Sequence, residues 1–99
     1  MKQHRYRVTV EHLADAHGAP SSYSAPVQFE VGNHDDIFVI VDRMRRRDDL
    51  DAAAAVPFAV GLKLFSEVML ENRGHPMFTE FAPHFAQFIK NLKRGSSNP

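Results

Sequence analysis

Two short segments near the start of the chain alternate between apolar and polar residues, and this pattern restricts the fold more than any other. In HRYRVTV (residues 4–10) and PVQFEV (residues 26–31), every second residue is apolar or aromatic, which is typical of a strand with one buried face. Successive strands usually pair, so the two segments predict an antiparallel hairpin. A hairpin alone is marginal in water, and the rest of the chain must therefore cover its apolar face.

The predicted strands are separated by ADAHGAPSSYSA (residues 14–25), which is rich in turn-forming residues and too long for a tight turn. We therefore expect a long, mobile loop. On the polar face of the hairpin, Arg5 or Arg7 could lie opposite Gln28 or Glu30. A sheet of two strands also leaves at least one edge open.

A first helix is predicted after the hairpin. Its apolar residues recur at the i, i+3, i+4, i+7 spacing of one helix face, as Ile37, Ile40, Val41 and Met44. Asn33 is a suitable N-cap, and we expect the helix to end between residues 46 and 48.

A second helix follows, and it can begin either at Asp51, as an N-cap, or at Pro57, as a first-turn proline. Gly74 is expected to end it. Apolar residues cover more than half of its circumference, so this helix is predicted to be the most buried of the three.

A third helix is predicted to restart at His75 and Pro76. Its apolar residues step by three and four, as Phe78, Phe81, Phe85, Phe88 and Leu92. Pro83 lies inside this seam and must either kink the helix or split it in two, and the unbroken seam favours a kink. The sequence thus predicts an α+β fold of order β-β-α-α-α, with one domain over residues 1–94 and a disordered tail over residues 95–99.

Composition narrows the functional classes. The 99 residues include 12 Lys and Arg, 12 Asp and Glu and no cysteine, which excludes disulfides, zinc–thiolate sites and a thiol nucleophile. Formal neutrality argues against a nucleic-acid binder, because such proteins usually carry a basic excess. We find neither a signal-type segment nor an apolar run long enough to span a bilayer. We therefore expect a cytoplasmic protein that has no membrane contact.

In the segment VDRMRRRDDLD (residues 41–51), four arginines are followed directly by Asp48, Asp49 and Asp51. With the basic end of the last helix this segment forms the candidate contact for nucleic acid or a partner: Arg43, Arg45, Arg46, Arg47, Lys90, Lys93 and Arg94. The adjoining carboxylates would repel a polyanion, and no aromatic residue is interleaved for base stacking. We favour the simpler interpretation that the cations end one helix and Asp49 or Asp51 caps the next.

No catalytic or metal-binding set is evident. None of the six histidines pairs with another at helical i, i+4 or strand i, i+2 spacing. No serine lies in a nucleophile-elbow motif, and Asp35 and Asp36 would point apart on a helix. We therefore assign no catalytic residue, metal ligand or cofactor and lean against an enzyme.

The phenylalanine seam has two interpretations. It could line a pocket for an apolar ligand through Phe78, Phe81 and Phe85, which would make the protein a small carrier. Such stripes more often form the core of a small domain, and we favour that interpretation.

The strand HRYRVTVE and the segment LKLFSEVMLENRGHPMFTEFAPHFAQFIKNLK resemble a small family of uncharacterised bacterial proteins, a domain of unknown function. The resemblance covers nearly the whole chain and rests on strand and helix patterns. It implies a stand-alone cytosolic domain and carries over no catalytic residue. Together with neutrality and the open sheet edge, it leads us to predict a non-catalytic protein-interaction or self-association module, with a homodimer as the expected assembly.

Overall fold

Within residues 2–96, which the computed structural model describes, five elements follow in the predicted order. They are β1 (His4–Val10), β2 (Val27–Asn33), α1 (Ile37–Arg45), α2 (Ala52–Glu71) and α3 (Pro76–Ser96). The predicted α+β fold is confirmed. The chain divides into two compact units, Met1–Asp35 and Asp36–Pro99, and the expectation of a single domain over residues 1–94 stays a prediction.

The first unit is the antiparallel hairpin of β1 and β2. In its register Arg7 lies opposite Glu30, and Arg7 Nη2 donates to Glu30 Oε2 at 2.8 Å. Gln28 Nε2 donates to Thr9 Oγ1 at 2.8 Å on the same face. The predicted polar pairing across the strands is confirmed, although each exposed ion pair adds only about 0–1 kcal/mol to stability.

The connection between the strands contains an ordered turn that the sequence pattern did not indicate. The Asp15 carboxylate accepts hydrogen bonds from the backbone N–H groups of His17 and Ala19, both at 2.9 Å. The Asp15 N–H donates in turn to the Ala19 carbonyl at 2.8 Å. Gly18 provides the positive φ of 89° that this turn requires. Asp15 and Gly18 thus order part of the connection.

The start of α1 differs from the prediction. Asp36 is the N-cap, and its side chain accepts from the Phe38 N–H at 3.0 Å. Asn33 is instead the last residue of β2, is only 2% exposed and accepts from the Asp35 N–H at 2.9 Å. Asn33 therefore stabilises the turn that precedes the helix, and its prediction as the N-cap was wrong.

The boundaries of α2 favour the earlier of the two predicted starts. Asp51 is the N-cap and accepts from the Ala53 N–H at 3.0 Å, so Pro57 lies inside the helix. At the other end Asn72 is the C-cap, and its Nδ2 donates to the Val68 carbonyl at 2.8 Å. The predicted end at Gly74 was wrong, because Asn72 already satisfies a free carbonyl of the last turn.

The third helix, α3, begins as predicted and continues through Pro83 without being split. His75 Nδ1 accepts from the Met77 N–H at 3.1 Å and so supports the first turn. Because α3 extends to Ser96, residues 95 and 96 of the predicted tail belong to the helix. Residues 97–99 lie outside the described residues.

The core of the second unit lies between α1 and α2. Met44 of α1 packs with Ala55 and Ala59 of α2. Partly buried side chains surround this centre: Ile40, Val41, Leu50, Phe58, Leu62 and Leu92. The two alanines allow α1 to approach α2 closely, and α3 contributes Leu92 to the edge of the core.

Candidate interaction surface

The second helix, α2, is apolar around most of its circumference, and one side of it is left uncovered. In its 20 residues, Ala55 and Ala59 are the ones that are buried. A helix that is apolar all round is normally buried on all sides. As expected, α2 has a larger share of buried and half-buried residues than α1 or α3, but one side of it stays open. The reason is that α1 packs against the side centred on these two alanines and α3 reaches α2 through phenylalanine rings, which leaves the remaining side uncovered.

A second stripe of α2 has no polar side chain and stays open to solvent. It consists of residues that step by four, three and four along the helix: Pro57, Gly61, Leu64 and Val68. At about 100° per residue these positions share one face, roughly 170° from the stripe centred on Ala55 and Ala59. Leu64 is half-buried, the other three are exposed, and Val68 retains 49% of its accessible surface. We call these four residues the open seam.

Aromatic side chains connect α2 with α3. The Phe65 ring lies 6.2 Å from that of Phe78, 6.1 Å from Phe81 and 6.0 Å from Phe85, measured between centroids. Phe78 is buried, which confirms part of the predicted core role of the seam. Phe65 and Phe81, however, remain 42% and 41% exposed. Phe65 is three or four residues from Gly61 and Val68, so these rings border the open seam.

The guanidinium of Arg47 fastens the α1–α2 connection to the end of α3. Its Nε and Nη2 donate to the two carboxylate oxygens of Asp49 at 2.8 and 2.6 Å, and its Nη1 donates to the Leu92 carbonyl at 2.8 Å. The hydrogen bonds between the two side chains raise the pKa of Arg47 and lower the pKa of Asp49. The attraction between their opposite charges shifts each pKa in the same direction as the hydrogen bonds do. The Arg47 side chain is only 9% exposed, so it is committed to this contact.

The other members of the predicted basic contact lie at the surface. Arg45 Nη1 is 3.7 Å from Asp42 Oδ1, and Arg46 Nε donates to the Asp42 carbonyl at 3.3 Å. Also exposed are Arg43, Lys90, Lys93 and Arg94. The Arg47–Leu92 hydrogen bond brings the basic last turn of α3 to the segment that carries the arginines. Neither this contact nor the ion pairs test the predicted role of the cluster, which stays a prediction.

A shallow groove of about 290 Å³ opens beside Arg47. It is mostly apolar and is lined by Arg47, Asp49, Leu50, Phe58, Phe88, Asn91 and Leu92. Ligand pockets usually enclose about 300–1,000 Å³ and cover most of the ligand, so this open groove is small for a carrier. The rings expected to line such a pocket, Phe78, Phe81 and Phe85, instead pack against Phe65.

A contact between a histidine and a serine lies in the hairpin connection, and the sequence pattern did not indicate it. His12 Nδ1 and Ser21 Oγ lie 2.6 Å apart, and Tyr23 packs edge-on to the imidazole with centroids 5.1 Å apart. His12 and Tyr23 are exposed and Ser21 is half-buried, and the contact follows from the pairing of the two arms rather than from any sequence spacing. Within the described residues, no group of His, Asp and Glu side chains could hold a metal ion.

By length and composition alone, α2 could cross a membrane. The sequence has no uninterrupted apolar run of this length, because Lys63 and Glu67 lie within the helix. Lys63 lies near the middle of α2, where a lysine costs about 2.5–3.5 kcal/mol on insertion scales. The core packing of Ala55 and Ala59 against α1 would also be lost on insertion. These two facts argue against insertion of α2 into lipid.

Comparison with known proteins identifies the fold but no chemistry. The model of DUF3861, described as a domain of unknown function with a solved structure, matches residues 4–94. No curated protein matches the chain. A crystal structure of a protein of unknown function from Pectobacterium atrosepticum is 35% identical, with a TM-score of 0.80 over 94% of this chain and 99% of that one. The chain is thus similar to a bacterial protein over nearly the whole length of both.

Proposed function

Because the chain belongs to the DUF3861 family, a domain of unknown function, we propose that it is a non-catalytic protein-interaction and self-association module of the bacterial cytoplasm. The observation that carries this proposal is the apolar side of α2 that stays exposed. Its open seam and the neighbouring Phe65 and Phe81 form an uncharged apolar surface on α2 and α3. Such surfaces on small proteins usually mark contacts with another protein.

The exposed rings supply part of the area that a stable interface buries. An aromatic side chain offers about 150–250 Å², so the exposed parts of Phe65 and Phe81 supply roughly 130–210 Å² per copy, and the seam adds more. Stable protein interfaces bury about 800 Å² per partner. Apolar burial contributes about 25 cal/mol per Å², which gives association a favourable driving force before its entropic cost.

The proposal is tested by sedimentation velocity of the full chain between low and high micromolar concentration. We expect a dimer whose population rises with concentration. Val68→Glu places a charge in the open seam and should shift the protein toward monomer, whereas Gln87→Glu adds the same charge on the exposed polar face of α3 and should not. A strict monomer at high micromolar concentration contradicts self-association.

Nucleic-acid binding is a second candidate function, favoured by the contact between Arg47 and the last turn of α3. That contact brings the turn carrying Lys93 and Arg94 to the arginine segment. The formal net charge of zero and the carboxylates of Asp42, Asp48 and Asp49 oppose it. Fluorescence anisotropy with labelled DNA and RNA at low salt distinguishes the two functions, since phosphate contacts predict affinity that falls steeply with salt. No change in anisotropy at low salt would eliminate this candidate.

A further inference from the structure

We infer that the open seam of α2 is the contact between two copies of this chain, which pack their α2 helices antiparallel to each other. The inference rests on the proposed self-association and adds the surface, the orientation and the residues in register. It is carried by the order of large and small residues along the seam and by the empty space beside Gly61.

Gly61 has no reason within its own chain to lack a side chain. A Cβ atom built on it would meet nothing within 4 Å, and its φ does not lie in the left-handed region. Glycine in the interior of a helix reduces helix stability, so an unexplained glycine on an apolar face points to close approach by another molecule. The open seam has its gap at this position.

The seam is complementary to itself when it is reversed. In an antiparallel pair whose two-fold axis passes between Gly61 and Leu64, each Leu64 faces the Gly61 of the other copy, and each Pro57 faces the other Val68. The Leu64 side chain of each copy then fills the gap beside the other Gly61. This contact occurs twice, as the two-fold symmetry of a dimer requires. In a parallel pair, Gly61 would face Gly61 and leave the gap empty.

The borders of the seam also fit a second copy. Phe65 and Phe81, which touch along one border, would each meet the equivalent rings of the partner and extend the apolar contact. The chain carries 12 basic and 12 acidic residues, so two copies meet without net repulsion. A lipid surface would instead favour an excess of Lys and Arg around the apolar face.

A packing exchange tests the register. Gly61→Leu fills the gap with a side chain that the monomer can accommodate, and it should raise the dimer dissociation constant by at least ~30-fold, because overpacking occurs at both symmetric contacts. The double variant Gly61→Leu with Leu64→Ala exchanges the large and small positions and should recover most of the lost affinity. Ala86→Leu, at an exposed position on α3, is the matched control and should leave association unchanged.

A distance measurement tests the orientation independently. The chain has no cysteine, so Glu71→Cys provides a single site for a spin label at the end of α2. An antiparallel pair separates the two labelled positions by about 25 Å along the helices, at 1.5 Å per residue, whereas a parallel pair brings them within about 10 Å.

The outcomes separate this inference from the proposed function. A wild-type dimer that Gly61→Leu leaves unchanged, or a short distance between labels, overturns the seam contact while self-association stands. A wild-type monomer overturns both. Cosedimentation of wild-type protein with phosphatidylcholine–phosphatidylglycerol vesicles, lost in Val68→Glu, would assign the seam to lipid and also overturn the inference.

Discussion

Arg47 is the member of the arginine run whose side chain turns inward. Its three hydrogen bonds use the planar fork of the guanidinium, two to one carboxylate and one to a main-chain carbonyl. A lysine in the same place would keep the charge but could not form this arrangement. One of the four clustered arginines therefore connects the α1–α2 segment with α3, whereas Arg43, Arg45 and Arg46 remain exposed.

We predict that Arg47→Lys lowers the free energy of unfolding by about 1–3 kcal/mol, the range for losing hydrogen bonds made by a charged group at a mostly buried site. Urea unfolding followed by circular dichroism measures the change. Arg46→Lys is the control, because this side chain is exposed, and it should stay within about 0.5 kcal/mol of the wild type. Equal effects at both positions would argue against the fastening role of Arg47.

The ion pair also predicts a pH dependence. The hydrogen bonds and charge of Arg47 hold the pKa of Asp49 below its ordinary value, so the unfolded chain binds this proton more readily than the folded one. The pair therefore adds to stability above a pH of about 4, the ordinary aspartate pKa, and this contribution is lost as the pH falls through the lowered pKa.

Urea unfolding of wild type and Asp49→Asn measures this effect across pH. We expect the wild type to be the more stable at pH 7 and the difference to shrink steadily as the pH falls below about 4. A difference that stayed constant across this range would show that the charge of Asp49 does not stabilise the fold.

At the element scale, α2 depends on its first turn as much as on its packing. Asp51 accepts from the Ala53 N–H, and the four alanines that follow favour a helix. Pro57 lacks an N–H and cannot donate to the carbonyl four residues earlier. The cap and the alanines together offset this missing hydrogen bond and allow the helix to begin at Ala52.

We predict that Asp51→Ala destabilises the protein by about 0.5–2 kcal/mol, the usual cost of removing an N-cap. Thermal and urea unfolding measure the loss. Asp48→Ala removes an exposed carboxylate from the same connection without touching a cap, and it should have a smaller effect. The reverse order of effects would mean that α2 is not stabilised from Asp51.

At the scale of the whole molecule, folding and association should be linked. If two copies cover the open seam of each other, the folded state is stabilised by mass action, because the unfolded chain does not pair. The midpoint of thermal unfolding should then rise with protein concentration. Differential scanning calorimetry from about 10 to 500 μM tests this, and Val68→Glu should reduce or remove the rise. A midpoint independent of concentration in wild type would contradict the linkage.

The amino-acid sequence by itself determined the elements and their order. Alternation of period two in β1 and β2 and of period 3.6 in α1 and α3 is a local property, so each pattern identifies its element without the rest of the chain. Pairing of successive strands is nearly local as well, which is why an arginine of β1 could be expected opposite Gln28 or Glu30, while the structure decided the register of Arg7 with Glu30.

The caps were less predictable, because Asn33, Asp36, Asp51, Asn72 and Gly74 are all suitable cap residues. The choice among them depends on where the chain turns into each helix, and that is decided by packing. In the same way, the sequence showed that Arg47 is charged but not that the Leu92 carbonyl, 45 residues away, would lie within reach.

Only the tertiary structure decided which apolar side chains are covered. The sequence made α2 apolar on nearly every side and therefore predicted a buried helix, but burial depends on how many neighbours the chain can place around it. With α1 packed against Ala55 and Ala59 and α3 joined through phenylalanine rings, the open seam is left without a cover from this unit. The hydrophobic effect acts on whatever surface remains in water, and it is this remaining surface that points to a second copy.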